Sequence, residues 1–150
     1  MAADSAALFQ TDATTYTFAT TEAGTQVRLR ATFTNRSGRT IYFVNCHGGT
    51  SLTVQRLDGA TWTDFWSPEL PACLSAPITV ASDGTHTFEI GVFAEKPGDN
   101  YYPKFAGPLT TGLYRVMWHN AYFTYQDRLP WGVPVPESQR VSNSFEINAP

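Results

Sequence analysis

Three histidines, two cysteines and a scatter of carboxylates are the groups in this 150-residue chain that could attack, protonate or ligate. His47 follows Cys46 directly, and a thiol beside an imidazole suggests a nucleophile with its base. Neighbours on a strand point to opposite faces, however, so the adjacent residue is usually the wrong partner. His86 and His119 fall in alternating segments, the setting of packed or edge histidines. Asp58, Asp64, Glu69, Asp83, Glu95, Asp99, Asp127 and Glu137 are spread over turns and loops. Glycoside cleavage needs two carboxylates about 5–9.5 Å apart across a cleft, which a small β domain seldom offers. Asp99 and Asn100 do not form a D-x-D-x-D-G calcium loop. The cysteines and histidines lack zinc-ligand spacing. No G-x-S-x-G or phosphate-binding loop occurs. No catalytic residue, metal ligand or cofactor site is therefore nominated, and a non-catalytic role is expected.

Binding chemistry is better represented. Tyr101, Tyr102 and Phe105 lie in one long connection, residues 94–108, and Tyr122, Phe123, Tyr125 and Trp131 in another, residues 120–139. Long loops on a rigid scaffold are where binding residues concentrate. Tyr and Trp add stiff contact area with a polar tip. Tyr122, Tyr125, Arg128 and Trp131 form the candidate surface, for a protein or glycan partner. The competing reading has these rings folding over the sheet ends and burying one another.

The elements that must position such loops are strands. Thr25 to Asn35 alternates Val27, Leu29, Ala31 and Phe33 against Gln26, Arg28, Arg30, Thr32 and Thr34, the period of a strand with one dry face. Thr40 to Cys46 follows the Asn35-Arg-Ser-Gly38 turn and is expected to pair with it as a hairpin. Ser51–Leu57 and Thr61–Trp66 form a second hairpin around Asp58-Gly59, with Leu52, Val54 and Trp62 as core contacts. Thr14–Thr20, Ile78–Val80, Thr85–Phe93 and Arg140–Ile147 supply further strands. Leu109-Thr-Thr-Gly-Leu-Tyr114 is a turn entering a strand that places Tyr114, Val116 and Trp118 on one face. Residues 1–12 read as a flexible tail, with Ala7 to Gln10 a possible edge strand, and 13–150 as a single domain.

Composition fits. Charged residues are 15% of the chain, below the roughly 25% of an average domain, and aromatics reach 14%. That mixture suits pleated, half-buried surfaces. The formal charge is -3, with no basic stripe to engage a phosphate backbone, so nucleic acid is not an expected partner. No apolar run approaches the roughly 18 residues of a membrane span. Cys46 and Cys73 make an even pair beside turns. A bridge would close a loop of about 27 residues, rated at roughly 3–4 kcal/mol by chain entropy. The alternative is two reduced thiols in a reducing compartment. The N-terminus carries neither a basic n-region nor an apolar h-region. An extracytoplasmic protein (periplasmic, secreted or lipid-anchored) whose export signal has been replaced by the start Met is preferred to a cytoplasmic one.

The order of these features resembles a bacterial immunoglobulin-like domain family found in lipoproteins and exported proteins. The residues that carry the likeness are Thr34-Asn-Arg-Ser-Gly38, Ile41-Tyr-Phe-Val44, Val54-Gln-Arg-Leu-Asp-Gly-Ala-Thr-Trp62, Ser82-Asp-Gly-Thr-His-Thr-Phe-Glu-Ile90 and Leu109-Thr-Thr-Gly-Leu-Tyr-Arg-Val116, over residues 25–118. The resemblance implies an antiparallel immunoglobulin-like β-sandwich of about seven to nine strands, in which the Tyr114 hydroxyl folds back on its turn as a tyrosine corner. It implies an exported, non-catalytic binding module. Carbohydrate recognition through Trp131 and Tyr125 is the alternative. Arg128-Leu-Pro-Trp-Gly132 also resembles the Arg-Pro-Trp loop of chagasin-like protease inhibitors, with one extra Leu and without their Asn-Pro-Thr-Thr-Gly loop.

Overall fold

The computed structural model describes residues 8–22, 24–70, 75–94, 105–124 and 132–149. These form twelve strands and no α-helix: β1 (Phe9–Thr11), β2 (Thr15–Thr17), β3 (Ala19–Thr21), β4 (Gly24–Thr34), β5 (Ile41–Phe43), β6 (Leu52–Asp58), β7 (Thr61–Trp66), β8 (Ile78–Val80), β9 (Thr85–Ala94), β10 (Gly112–Trp118), β11 (Ala121–Tyr122) and β12 (Phe145–Asn148). The fold is all-β. In the first sheet β4 pairs with β9 along its length, from Thr25↔Ala94 to Thr34↔Thr85, while β1 and β3 share its other edge. The second sheet runs β2-β12-β10-β6-β7, antiparallel except for the parallel β2–β12 pair. A third, short sheet runs β11-β5-β8. No helix among the described residues is long and apolar enough to cross a membrane.

The alternation read in β4 and β9 sets the core. Val27, Leu29, Ala31 and Phe33 are buried beside Phe88, Ile90 and Val92, and meet Val54, Tyr114, Val116, Trp118, Phe145 and Ile147 of the second sheet. An aromatic layer joins the sheets. Phe9 stacks on Trp118 at 3.9 Å, and Phe88 lies 5.5 Å from the same indole. Phe9 also sits 4.6 Å from Phe33. The expected tail of residues 1–12 therefore extends too far: Phe9–Thr11 is strand β1, overlapping the edge strand offered for Ala7 to Gln10, and Phe9 is 1% exposed. The isolated apolar pair Leu8-Phe9 in a polar stretch is an anchor.

Three further expectations are corrected. Thr14–Thr20 is not one strand. It divides at buried Phe18, with β2 joining β12 in the second sheet and β3 returning to β4 in the first. Trp62 is not in the core; it is half-buried, with the Arg115 guanidinium 4.6 Å from its ring centre, and Phe65 and Trp66 are buried instead. The hairpin between β4 and the strand after Asn35 does not form. Both edges of β4 are occupied, and β5 pairs with β8 and β11. Asn35 makes the diversion: it is fully buried, its amide donates to the carbonyls of Arg39 (2.6 Å) and Val80 (2.9 Å), and its Oδ1 accepts from Ser37 N–H and Oγ. An Asn side chain bonding the backbone two residues on is an Asx turn, which bends the chain out of the ladder.

Tyr114 closes the frame. Its hydroxyl donates to the Thr110 carbonyl at 2.7 Å, and its fully buried ring packs edge-on against Phe65 at 5.4 Å. Tyr114→Phe keeps the ring and removes only this bond. The expected loss is about 1 kcal/mol, seen as a lower urea midpoint with an unchanged m-value.

Candidate functional site

The connection after β10 is built, at its base, as a small paired flap. Ala121 and Tyr122 pair with Phe43 and Tyr42. Phe123 N–H donates to the Val133 carbonyl at 2.8 Å, and Val135 N–H to the Ala121 carbonyl at 2.9 Å. Arg140 fastens the return, its Nε donating to the Val135 carbonyl at 2.8 Å and Nη1 to the Trp118 carbonyl at 2.6 Å. Gly132 has φ +115, and a Cβ there would stand 2.5 Å from the Thr124 carbonyl oxygen. Only glycine lets the two arms of the flap approach so closely. Ala121, Phe123, Val133 and Val135 are the sequence signal for these arms, though a reading of 120–139 as one loop passes over it.

Of the candidate surface residues, Tyr122 lies in β11 and is half-buried. Tyr125, Arg128 and Trp131 lie outside the described residues, as do Tyr101 and Tyr102. Phe105 packs inward, stacked on Phe65 at 5.2 Å and edge-on to Phe18 at 5.5 Å. For that ring the packing alternative holds.

Beside the flap is an open cleft of about 370 Å³ lined by Leu8, Arg36, Ser37, Phe123 and Gln139. Arg39 stands with its guanidinium carbon 4.4 Å from the centre of the Phe123 ring. Val133, on the opposite arm of the flap, is 50% exposed. Among the described residues neither Arg36 nor Arg39 enters an ion pair. The cleft thus offers an aromatic face and the Arg36 cation, with Arg39 over the Phe123 ring at its edge and neither arginine ion-paired among the described residues. In the sequence Phe123 counts among the aromatics of this connection but is left off the candidate surface, Arg36 reads only as a turn residue, and Arg39 is given no role.

A second polar group lies on the outer face of the second sheet. His119 Nε2 is 2.5 Å from Thr53 Oγ1, which is 3.0 Å from Ser67 Oγ. In the Nδ1–H tautomer Nε2 accepts from Thr53, and in the Nε2–H tautomer it donates to Thr53. Alongside, Gln55 Oε1 accepts from Arg115 Nε at 2.8 Å and its amide donates to Asp64 at 3.1 Å. A hydroxyl aimed at an imidazole is the beginning of nucleophile activation. Thr53 is only 4% exposed, however, and no carboxylate among the described residues is hydrogen-bonded to His119. The chain of bonds satisfies polar groups on the outer face of the sheet. His47 has φ +50, and its N–H points to Ser75 Oγ at 3.4 Å. Cys46 is not a free thiol, and Cys73 lies outside the described residues. No cluster of metal-ligating side chains occurs among the described residues.

Compared with protein families, curated proteins and solved structures, the chain matches none.

Partial burial holds the His119 imidazole below the usual value, and the nearby Arg140 charge lowers it further, against the raising effect of Asp64 and Glu137. Burial lowers His86 as well. The unfolded chain therefore binds more protons than the folded one once pH drops below the ordinary histidine value of about 6.5. Stability is full above that pH and declines as pH falls through the folded pKa values. Urea titrations from pH 7.5 to 5 should show this decline, and His119→Gln should flatten it; an unchanged slope would remove His119 from the account.

Proposed function

We propose that the protein is an exported bacterial immunoglobulin-like module that recognises a carboxylate-bearing protein or glycan, without catalysis, through the cleft between the Asn35–Arg39 turn and the β11 flap. The single observation that carries this reading is the Arg39 guanidinium seated over Phe123 at the edge of an open cleft that also holds Arg36. Aromatic faces and arginines are the residue types that dominate recognition surfaces. Arginine also matches a carboxylate with two parallel donors. Tyr125, Arg128 and Trp131 belong to the same connection in the sequence.

Two features support the immunoglobulin-like assignment. Tyr114 bonds its own turn in the manner of a tyrosine corner. Two sheets pack across one core, one of them ordered β2-β12-β10-β6-β7. Export is supported by Cys46 not being a free thiol. Cys73 is the other cysteine in the chain, so a Cys46–Cys73 bridge is proposed. Intact mass before and after alkylation under denaturing, non-reducing conditions tests it: a bridged chain takes up no alkyl groups until it is reduced.

Glycan and peptide arrays that include uronic acids and acidic peptides test the recognition reading. Wild type is expected to retain acidic ligands, and Phe123→Ala and Arg36→Ala to lose at least about tenfold in affinity, roughly 1.4 kcal/mol. Salt should weaken binding. Retention of neutral ligands alone, or variants that bind as wild type does, would move the site away from this cleft. Turnover of any bound ligand would end the non-catalytic reading.

A further inference from the structure

The far edge of β9 is the strongest unassigned feature. Backbone groups on a strand point alternately to its two sides. Arg30 N–H and C=O both bond Asp12, on the β1 side of β4. The odd residues of β4 therefore face β9, and through the pairs Leu29↔Ile90 and Val27↔Val92 the even residues of β9 face β4. Thr87, Glu89 and Gly91 then direct N–H and C=O away from the sheet. Phe93 belongs to the same set, and its carbonyl accepts from the Trp66 indole at 2.7 Å. No strand among the described residues pairs with this edge.

Two cavities flank it and share Glu89, Ile90 and Gly91. The inner one, about 90 Å³, is walled by Leu52, Trp66, Leu70 and Phe88. Thr50 also lines it; this residue is 3% exposed, and its hydroxyl has no hydrogen-bond partner. The outer one, about 410 Å³, lies over Gly91 and is lined by Arg28, Arg30, Asp12 and Glu89. There Arg30 pairs with Glu89 at 3.0 Å and Asp12 accepts the Arg30 amide. Arg28, cross-strand from Gly91, has no ion-pair partner among the described residues.

We infer that this edge accepts an extended peptide as an added strand, with an apolar side chain in the inner cavity and an acidic neighbour reaching over Gly91 to Arg28. Donors and acceptors repeating at strand spacing call for a peptide backbone as the complement. Successive residues of that backbone point to opposite faces. One enters the apolar cavity, which has the size of a single Leu side chain, and the next lies on the outer face. Strands are about 4.8 Å apart, so the added strand runs roughly 10 Å from β4. Arg and Glu side chains span that gap because Gly91 puts nothing between them. This site is separate from the cleft beside Phe123 and does not depend on it.

The test uses Ac-Thr-Glu-Leu-Glu-Thr-NH2 with the full chain, followed by amide chemical shifts and calorimetry. Saturable shifts are expected over residues 87–91 and 48–52. Leu→Ala in the peptide should weaken binding roughly tenfold or more. Arg28→Ala in the protein should weaken it severalfold and reduce its salt dependence. Gly91→Pro removes the outward N–H, at a place where an edge strand tolerates proline, and also adds a ring on the outer face. It should fold, checked by circular dichroism, and lose binding altogether, while Gly91→Ala, which keeps the N–H and adds one methyl in the gap to Arg28, should lose no more than Arg28→Ala does. Phe123→Ala should bind the peptide as wild type does, so failure here and failure of the cleft are told apart. Unchanged affinity for peptides N-methylated at alternate residues would leave a pocket without strand addition and overturn the inference. Absence of saturable shifts at millimolar peptide would also overturn it, leaving the Thr50 hydroxyl to water.

Discussion

The occupancy of β4 on both edges is the constraint on which the rest of the structure depends. β9 takes one side from Thr25 to Thr34, and β1 and β3 hold the two ends of the other. A chain leaving β4 cannot fold back onto it, so the Asn35 turn sends it aside. β5 finds β8 and β11 instead. That placement has two consequences. It brings the β11 flap next to the Asn35–Arg39 turn, where Arg39 meets Phe123. It also takes β8 away from β9, although only the Ala81–Gly84 turn separates them, and so leaves the far edge of β9 without a partner strand among the described residues. Both surfaces proposed for binding follow from one saturated ladder.

What holds the two sheets across that ladder is aromatic area. Trp118 is fully buried between Phe9 and Phe88, yet its indole N–H has no partner among the described residues. An unsatisfied buried donor costs about 1–3 kcal/mol. Burying an indole of roughly 150–250 Å² returns about 4–6 kcal/mol at 25 cal/mol per Å². Ring stacking adds to this, so packing outweighs the stranded polar atom. The same balance explains why the N-terminal segment is held: Phe9 supplies the ring face against which Trp118 stacks.

Local pattern made some of this legible and long-range contact hid the rest. β4, β9, β10 and the β6–β7 hairpin could be read because period-two burial and an Asp-Gly turn are written within ten residues of one another. Tyr114 could be read because its bond spans four positions. The role of Asn35 could not, since one of its acceptors, the Val80 carbonyl, lies 45 positions away. Nor could the β2–β3 division, because Phe18 marks a change of sheet that depends on β12, at the far end of the chain. The cleft was equally hidden: Arg39 and Phe123 meet only after β5 and β11 have paired.

A bare edge is a liability, and proteins ordinarily blunt one with lysine, proline, a bulge or an unpaired charge. β9 is ten residues long and carries no lysine or proline. Its one charge, Glu89, is matched by Arg30, and its ladder with β4 runs in unbroken register. The only cap among the described residues is the Trp66 indole at Phe93, which leaves Thr87 to Gly91 open. Gly91 removes the one side chain that would separate the edge from Arg28. Aggregation protection is thus weakest where an apolar cavity and a cation without an ion-pair partner among the described residues flank the strand, which is where an added strand would be held in register.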